Sequence, residues 1–112
     1  MIFPGFDDTP IRAWAQTPPD TIRKVDGTGP KFYNVSWDSF MKYQDRLDWI
    51  NIATFNDWNE GTILEPSREL GHELALITAQ RMARWKGGTA ATLAQLEAIT
   101  ARYLKERRVK YD

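Results

Sequence analysis

The sequence contains no cysteine and a single histidine among its 112 residues. The lack of cysteine excludes disulfide bonds and zinc sites built from thiolates. No apolar run approaches the roughly 18 residues that a membrane-spanning helix needs, and no signal peptide is visible. The formal net charge is zero, so the total charge does not favour nucleic acid or a membrane surface. We therefore expect neither of them as a partner.

The charge is nevertheless divided along the chain. Residues 1–80 carry 7 lysines and arginines against 12 acidic residues, whereas residues 81–112 carry 8 against 3. The basic end is interpreted as a solvated helix, because its charges are spread around the helix rather than concentrated on one stripe. The chain contains five tryptophans. We expect most of them in the core, although aromatic platforms are also common where sugars bind.

Apolar spacing and turn residues predict an α/β fold. The predicted order opens with a strand end at residues 1–4, a long loop at 5–31 and a helix that begins at Asn34 or Ser36. A strand at 49–55 and a loop follow. The next helix begins between Pro66 and His72 and ends at Gly87-Gly88, and a last helix covers about 89–108. The predicted apolar faces are Trp37, Phe40, Met41 and Leu47 for the first helix, Leu70, Leu74, Ile77, Met82 and Trp85 for the second, and Leu93, Leu96, Ile99 and Tyr103 for the third. The strand at 49–55 is apolar on both faces, as in a covered parallel strand. The pattern predicts two βα units within residues 1–86 and a helical tail over 87–112.

The segment 54–66, directly after the second predicted strand, concentrates carboxylates, asparagines and a tryptophan. If the chain turns at Trp58-Asn59, Asp57 and Glu60 can converge on one side of a cleft. A pair of carboxyl groups is what glycoside hydrolysis requires, because one protonates the leaving oxygen and the other acts as base or nucleophile. One of the two must then keep its proton near neutral pH. Asparagine side chains both donate and accept hydrogen bonds, which suits sugar hydroxyls.

Other interpretations of the same residues stay open. Asp57 and Asn59 could be turn residues that bond their own backbone, and Glu60-Gly61 could be a plain turn. An all-oxygen metal site could be built from four acidic residues, namely Asp7, Asp8, Asp57 and Glu60, but no loop has calcium-binding spacing. The only histidine, His72, is expected at a helix start as a capping or exposed residue. We assign no metal and no cofactor.

Two motifs resemble glycoside hydrolase family 99 and its relatives, which include family 71-like and polysaccharide-biosynthesis proteins. The segment Phe55-Asn56-Asp57-Trp58-Asn59-Glu60-Gly61-Thr62 with Glu65-Pro66 is similar to the final-strand motif of that family. Upstream, the residues Pro4-Gly5-Phe6, Asp8-Thr9, Ile11-Arg12 and Trp14 resemble the loop after the preceding strand. The two motifs occur in the same order as in the family and cover roughly residues 1–85.

The resemblance implies a (β/α)8 barrel that cleaves internal α-mannosidic bonds with retention of configuration. Glu60 would be the general acid/base, and Asp57 would stand where the family has the glutamate that takes a proton from the sugar's own 2-hydroxyl. Asp57 is one carbon shorter than that glutamate, and Asn59 also departs from the family's pattern. The candidate substrate contacts are Asn56, Trp58, Arg12, Trp14 and Asp8.

A complete barrel needs roughly 200 residues or more, so the resemblance implies that these are the last two βα units of a longer barrel. The expected partners are an oligosaccharide or polysaccharide and the N-terminal part of that barrel. Two alternatives remain, a carbohydrate-binding or biosynthetic protein that does not hydrolyse and an inactive truncated gene product.

Overall fold

The computed structural model describes residues 1–16, 18, 20, 22–25 and 29–111, with side chains described as far as residue 107. It combines helices with very short strands in a mixed α/β arrangement. The elements are α1 (Thr9–Trp14), α2 (Pro30–Met41), a 3-10 turn (Gln44–Arg46), β1 (Asn56–Asp57), β2 (Thr62–Ile63), α3 (Glu73–Lys86) and α4 (Leu93–Tyr111).

The two segments predicted as parallel strands lie side by side. Ile2 and Ile52 form a parallel bridge, in which the Ile2 N–H donates to Asn51 (2.8 Å) and the Ala53 N–H donates to Ile2 (2.9 Å). The parallel direction was predicted correctly, but the predicted strand 49–55 was too long. Within the described residues, the parallel pairing of this segment is limited to this one bridge. A longer ladder would show further hydrogen bonds along both segments.

A small aromatic and aliphatic core covers this bridge. It contains Ile2, Tyr33, Trp37, Leu74 and Ile77. Tyr33 and Trp37 come from α2, and Leu74 and Ile77 come from α3, so the two helices meet over the first strand segment. The Tyr33 hydroxyl lies 2.8 Å from Thr78 Oγ1, and burial raises the pKa of this tyrosine. The core therefore fixes the strand segments from which the candidate site extends.

Helix α2 begins earlier than predicted. Its first residue is Pro30, preceded by Gly29 with φ of 112°, because proline suits a first helical position that needs no N–H partner. The two predicted capping residues make other hydrogen bonds. Asn34 donates back to the Pro30 carbonyl, and the Ser36 hydroxyl accepts the Phe3 N–H. Leu47, predicted on this helix, lies beyond it and is exposed.

Part of the predicted loop 5–31 forms regular structure, which its composition did not indicate. Helix α1 is only six residues long, with proline in its first turn. Residues 6–8 then pair antiparallel with residues 23–25, through an Asp8 N–H bond to Arg23 (3.1 Å) and a Val25 N–H bond to Phe6 (2.8 Å). The prediction of a continuous loop over residues 5–31 was therefore wrong for this part of the chain.

The last two helices match their prediction more closely. Helix α3 ends at Lys86 and is followed by Gly87, whose φ of 79° favours glycine, and it begins one residue after the predicted range. His72 occupies the N-cap position, and its Nε2 lies 2.9 Å from Thr100 Oγ1 of α4. Three of the four residues on the predicted apolar face of α4 are exposed, and only Leu96 is half-buried. In the described part of the chain, no helix is long and apolar enough to cross a membrane.

Candidate active site

The motif that follows the second strand segment is a β-hairpin. Strands β1 and β2 pair antiparallel, with Asn56 opposite Ile63 and Asp57 opposite Thr62. Gly61 closes the turn with φ of 65°, a conformation that other residues rarely adopt. The hairpin was predicted as a loop, since two-residue strands show no clear alternation. It supplies the turn at Trp58-Asn59 that the carboxylate hypothesis required.

The base of the hairpin is held by two threonine hydroxyls. Thr54 Oγ1 donates to the Thr62 carbonyl (2.5 Å), lies 2.9 Å from the hydroxyl of Thr62, and accepts the Asp57 N–H (3.1 Å). The Thr54 N–H donates to the same carbonyl at 2.9 Å. Thr62 is buried. Thr54 therefore links the end of the strand segment directly to Asp57, a role that sequence reasoning did not assign.

Asp57 and Glu60 are brought together on this hairpin. The Asp57 Oδ1 atom accepts the backbone N–H of Glu60 at 3.2 Å, and both residues are half-buried. This hydrogen bond involves neither Asp57 Oδ2 nor the carboxyl group of Glu60. Such a side-chain-to-backbone bond is also typical of a turn residue, so the geometry accommodates both the catalytic and the turn interpretations.

The loop after the first strand segment contacts the hairpin through its backbone. The Asp7 N–H donates to the Glu60 carbonyl at 2.8 Å. A Cβ atom added at Gly61 would lie 3.6 Å from both Cβ and N of Asp7, so even the smallest side chain at this position would touch Asp7. The two motifs identified in the sequence thus meet in space at Glu60.

Asp7 is held as an anion by its neighbours. Hydrogen bonds from Thr9, then the contact with Lys24, lower the pKa of Asp7 to about 2. Lys24 Nζ lies 2.9 Å from Asp7 Oδ2, and the Thr9 N–H donates to Oδ1 at 3.0 Å. Asp7 therefore stabilises the start of α1, and its carboxylate stays charged at neutral pH.

Asp8 lies in the interior and is 1% exposed. Its Oδ1 accepts the Arg23 N–H at 2.6 Å, and its Oδ2 accepts Nε–H from both Arg12 and Arg23 at 3.1 Å. Burial by itself would raise the pKa of Asp8, but these hydrogen bonds hold it below its usual value. Both oxygens are already engaged, so the predicted sugar contact of Asp8 would have to share them. Arg12, predicted from the same loop, is oriented by Asp8.

The candidate aromatic platforms lie on the surface. Trp58 is 50% exposed and its Nε1–H donates to Glu65 Oε2 at 3.0 Å, which fixes the plane of the indole ring. Trp14 is 86% exposed. Glu65 was not predicted as part of the site, and its place in the Glu65-Pro66 motif, within the acidic segment 54–66, is the signal that would have indicated it.

Two open depressions flank the hairpin. One, of about 490 Å³, is lined by Pro10, Ile11, Trp14 and Asn59. The other, of about 550 Å³, includes Trp58, Gly61, Asp7 and Lys24 in its lining. Asn56 is exposed on β1 but lines neither of these depressions. Trp14 and Trp58 thus line different depressions.

Within residues 1–16, 18, 20, 22–25 and 29–107, no group of three or more histidine and acidic side chains is placed to hold an ion. Asp7 and Asp8 are directed to lysine and arginine partners.

Comparison with known proteins points to one kind of enzyme. The chain is 37% identical over 62 residues to the glycoprotein endo-alpha-1,2-mannosidases of Rattus norvegicus and Mus musculus, and to an endo-alpha-1,2-mannosidase-like protein of Danio rerio. Each match covers 55% of this chain and 12% of the relative. No protein-family model and no solved structure matches significantly, and the resemblance to family 71-like proteins gains no support. The chain is thus partly similar to glycosidases that act on mannose-containing glycans.

Proposed function

We propose that this chain forms the carboxyl-terminal part of a barrel glycoside hydrolase of the family 99 type that cleaves an α-mannose-containing glycan. The observation that carries the proposal is the hairpin itself, which follows a parallel strand segment and holds Asp57 and Glu60 together. The similarity to endo-α-1,2-mannosidases supports the same reaction class. Active sites of (β/α)8 barrels lie where the strands end at their carboxyl side.

In the proposed mechanism, Glu60 donates a proton to the oxygen of the scissile bond as that bond breaks. Asp57 acts as the second carboxylate: it either takes the proton of the sugar's 2-hydroxyl, so that this oxygen bonds the anomeric carbon, or bonds that carbon itself, as the leaving oxygen departs. Water then attacks the anomeric carbon and displaces the 2-oxygen or Asp57, while Glu60 accepts the proton of the water and regains its acid form. In the first case Asp57 returns its proton to the 2-oxygen. Trp58 supplies an apolar face for a sugar ring, and its N–H bond to Glu65 keeps that face in one orientation. Arg12, Trp14, Asn56 and Asp8 remain proposed substrate contacts.

The proposed barrel also accounts for an apolar surface away from the hairpin. A groove of about 840 Å³ runs beside the first strand segment, and its lining includes Met1, Phe40, Leu47, Trp49 and Ile50. Trp49 and Met1 are largely exposed. We propose that the preceding units of the barrel cover this groove, since parallel strands are ordinarily covered on both faces.

The catalytic proposal is tested in the full-length gene product that contains this chain. Glu60→Gln should lower kcat on an α-1,2-linked mannan about 100- to 10,000-fold, the usual contribution of a general acid/base. Glu69→Gln is the matched control, because Glu69 is exposed in the turn before α3 and should leave the rate unchanged. Equal activity of the Glu60 variant and the wild type would remove the acid/base assignment.

A second candidate function is carbohydrate binding or glycan biosynthesis without hydrolysis. The bond between Asp57 Oδ1 and the Glu60 N–H favours it, because Asp57 then serves as a turn residue. In that case the full-length protein would bind α-mannosides without turnover. Titration with α-1,2-mannobiose by calorimetry, followed by product analysis after long incubation, separates the two functions.

A further inference from the structure

The depression of about 550 Å³ beside the hairpin brings an indole ring and a carboxylate into one lining. Trp58 and Gly61 line it from the hairpin, and Asp7 lines it from the loop that follows the first strand segment. The apolar part of the lining is completed by Pro4, Pro10, Ile63, Leu70 and Leu74. A volume of roughly 300–1,000 Å³ and an apolar lining with a few fixed polar groups are usual for small-molecule sites.

The indole ring of Trp58 is held in one orientation while it remains accessible. Its Nε1–H donates to Glu65 Oε2 at 3.0 Å, and the residue is 50% exposed. An indole offers a broad apolar face, which matches the C–H face of a sugar ring. Because the hydrogen bond already orders this side chain, a ligand that packs on it has less conformational entropy to remove.

Asp7 is a charged acceptor with capacity for one more hydrogen bond. Its Oδ1 accepts the Thr9 N–H at 3.0 Å, Lys24 Nζ lies 2.9 Å from its Oδ2, and the Thr9 side chain supplies a third hydrogen bond. A carboxylate can accept about four hydrogen bonds, so these contacts within the described residues leave room for a ligand hydroxyl. The Asp7 side chain is 27% exposed, whereas the neighbouring Asp8 is buried.

The depression adjoins the proposed carboxylate pair without containing it. Trp58 directly follows Asp57 in the chain, Gly61 directly follows Glu60, and the Asp7 N–H donates to the Glu60 carbonyl at 2.8 Å. Among the described residues that line the depression, neither Asp57 nor Glu60 is included. A sugar bound there would therefore be the neighbour of the sugar unit on which the two carboxyl groups act.

We propose that the depression lined by Trp58 and Asp7 is a subsite for a neutral hexopyranose unit of the glycan, next to the unit that is cleaved. The C–H face of this sugar packs on the indole ring of Trp58, and Asp7 accepts a hydrogen bond from one of its hydroxyl groups. The proposal rests on the proposed function for the identity of the ligand as a glycan. It adds Asp7 to the substrate contacts, a residue that the sequence suggested only for a metal site.

Binding of methyl α-mannoside to the full-length gene product that contains this chain tests the subsite. In NMR titrations of the wild type, we expect the Nε1–H signal of Trp58 and the amide signal of Gly61 to shift with one common dissociation constant. The Trp58 signal is assigned with Trp58→Phe. Cyclohexanol, a six-membered ring with a single hydroxyl group, should bind at least about tenfold more weakly, because it offers fewer hydrogen bonds.

Asp7→Asn tests the acceptor. It keeps the volume of the side chain and one carbonyl oxygen but loses the charge, so the affinity for methyl α-mannoside should fall about tenfold, the difference between a charged and a neutral acceptor. Asp38→Asn is the matched control, because Asp38 is also an ion-paired aspartate, 2.7 Å from Arg81 Nη1, but lies on α2 outside the lining of the depression. It should leave the affinity unchanged.

The outcomes separate this inference from the catalytic one. Signal shifts confined to residues outside the depression, equal affinity of Asp7→Asn and the wild type, or cyclohexanol binding as tightly as the mannoside would each overturn the subsite. The shift map uses the wild type, so it decides the question even if Asp7→Asn loosens the loop. Glu60→Gln should bind methyl α-mannoside as the wild type does. Mannan hydrolysis without mannoside binding at Trp58 would overturn the subsite alone, whereas binding at Trp58 in a protein that does not hydrolyse mannan would support the subsite and remove the hydrolase proposal.

Discussion

Three contacts of the hairpin converge on the hydroxyl group of Thr54. It donates to the Thr62 carbonyl, meets the Thr62 hydroxyl and accepts the Asp57 N–H. A hydroxyl has one proton and two lone pairs, so these three partners saturate it. The placement of Asp57 therefore depends on a residue outside the pair of carboxylates.

Replacing Thr54 with valine should destabilise the hairpin with little change in volume. We expect a loss of about 1–3 kcal/mol in the free energy of unfolding, because the buried Thr62 and the Asp57 N–H lose a partner. Urea unfolding measures this loss, and the Asp57 amide signal in NMR should shift. Ser39→Ala, which removes an exposed hydroxyl bonded within α2, should cost under about 0.5 kcal/mol. Similar losses in both variants would contradict the role given to Thr54.

The contacts of Asp7 make the loop sensitive to acid. The pKa of Asp7 is about 2, below the ordinary 3.8, with Thr9 as the largest cause and Lys24 next. A lowered pKa in the folded state means that the ionised form stabilises the fold above about pH 4, and this contribution disappears as the pH falls through about 2. We expect Thr9→Val to raise the pKa of Asp7 more than Lys24→Gln does. A carboxyl NMR titration measures both shifts, and a larger shift in the Lys24 variant would contradict the assignment.

Helix α2 carries the tryptophan on which the core depends. Trp37 is fully buried, whereas Trp14 on α1 is almost fully exposed. Trp37 also meets Tyr33 and Phe40 edge-on, with ring centroids 6.2 and 5.7 Å apart. Trp37→Ala should therefore cost about 3–5 kcal/mol of unfolding free energy, as deletion of a large core side chain does.

Trp14→Ala is the matched control for that substitution. It removes the same side chain from the surface, where the expected change in stability is within about 0.5 kcal/mol. The proposed sugar contact predicts that Trp14→Ala lowers glycan affinity without lowering stability. A stability loss in the Trp14 variant as large as in the Trp37 variant would contradict the described core.

The sequence was informative where local chemistry and packing agree. The helical spacing of Leu74 and Ile77, with Gly87-Gly88 after the last turn, predicted α3 and its end. The apolar residues around Ile52 predicted a segment parallel to the chain start. Both features depend on side-chain periodicity or backbone freedom, which can be recognised in one sequence.

Other elements depend on contacts that a single sequence does not display. Helix α1 has only six residues and is held by contacts of Asp7 and Asp8. The hairpin is held by the hydroxyl bonds of Thr54 and by the backbone of Asp7. Asp8 was predicted to face substrate, and only its three-dimensional partners, Arg12 and Arg23, show it to be buried. In each case tertiary contacts override weak local preference.

For the molecule as a whole, the central proposal is that Glu60 is the proton donor of a glycosidase. Its support is cumulative: two sequence motifs meet at Glu60 through the Asp7 N–H, the hairpin joins Glu60 to Asp57, and endo-α-1,2-mannosidases are similar over 62 residues. The matching region spans only 12% of those enzymes. That the longer protein shares their activity and substrate is therefore a proposal.

The most direct test compares two leaving groups in the full-length protein. A proton donor is needed for a sugar leaving group but hardly for an acidic phenol, which departs without protonation. We predict that Glu60→Gln lowers kcat/KM on an α-1,2-linked mannan about 100-fold or more, while hydrolysis of a nitrophenyl α-mannoside-based substrate falls far less. Equal losses on both substrates, or no loss on either, would contradict the assignment of Glu60 as the general acid.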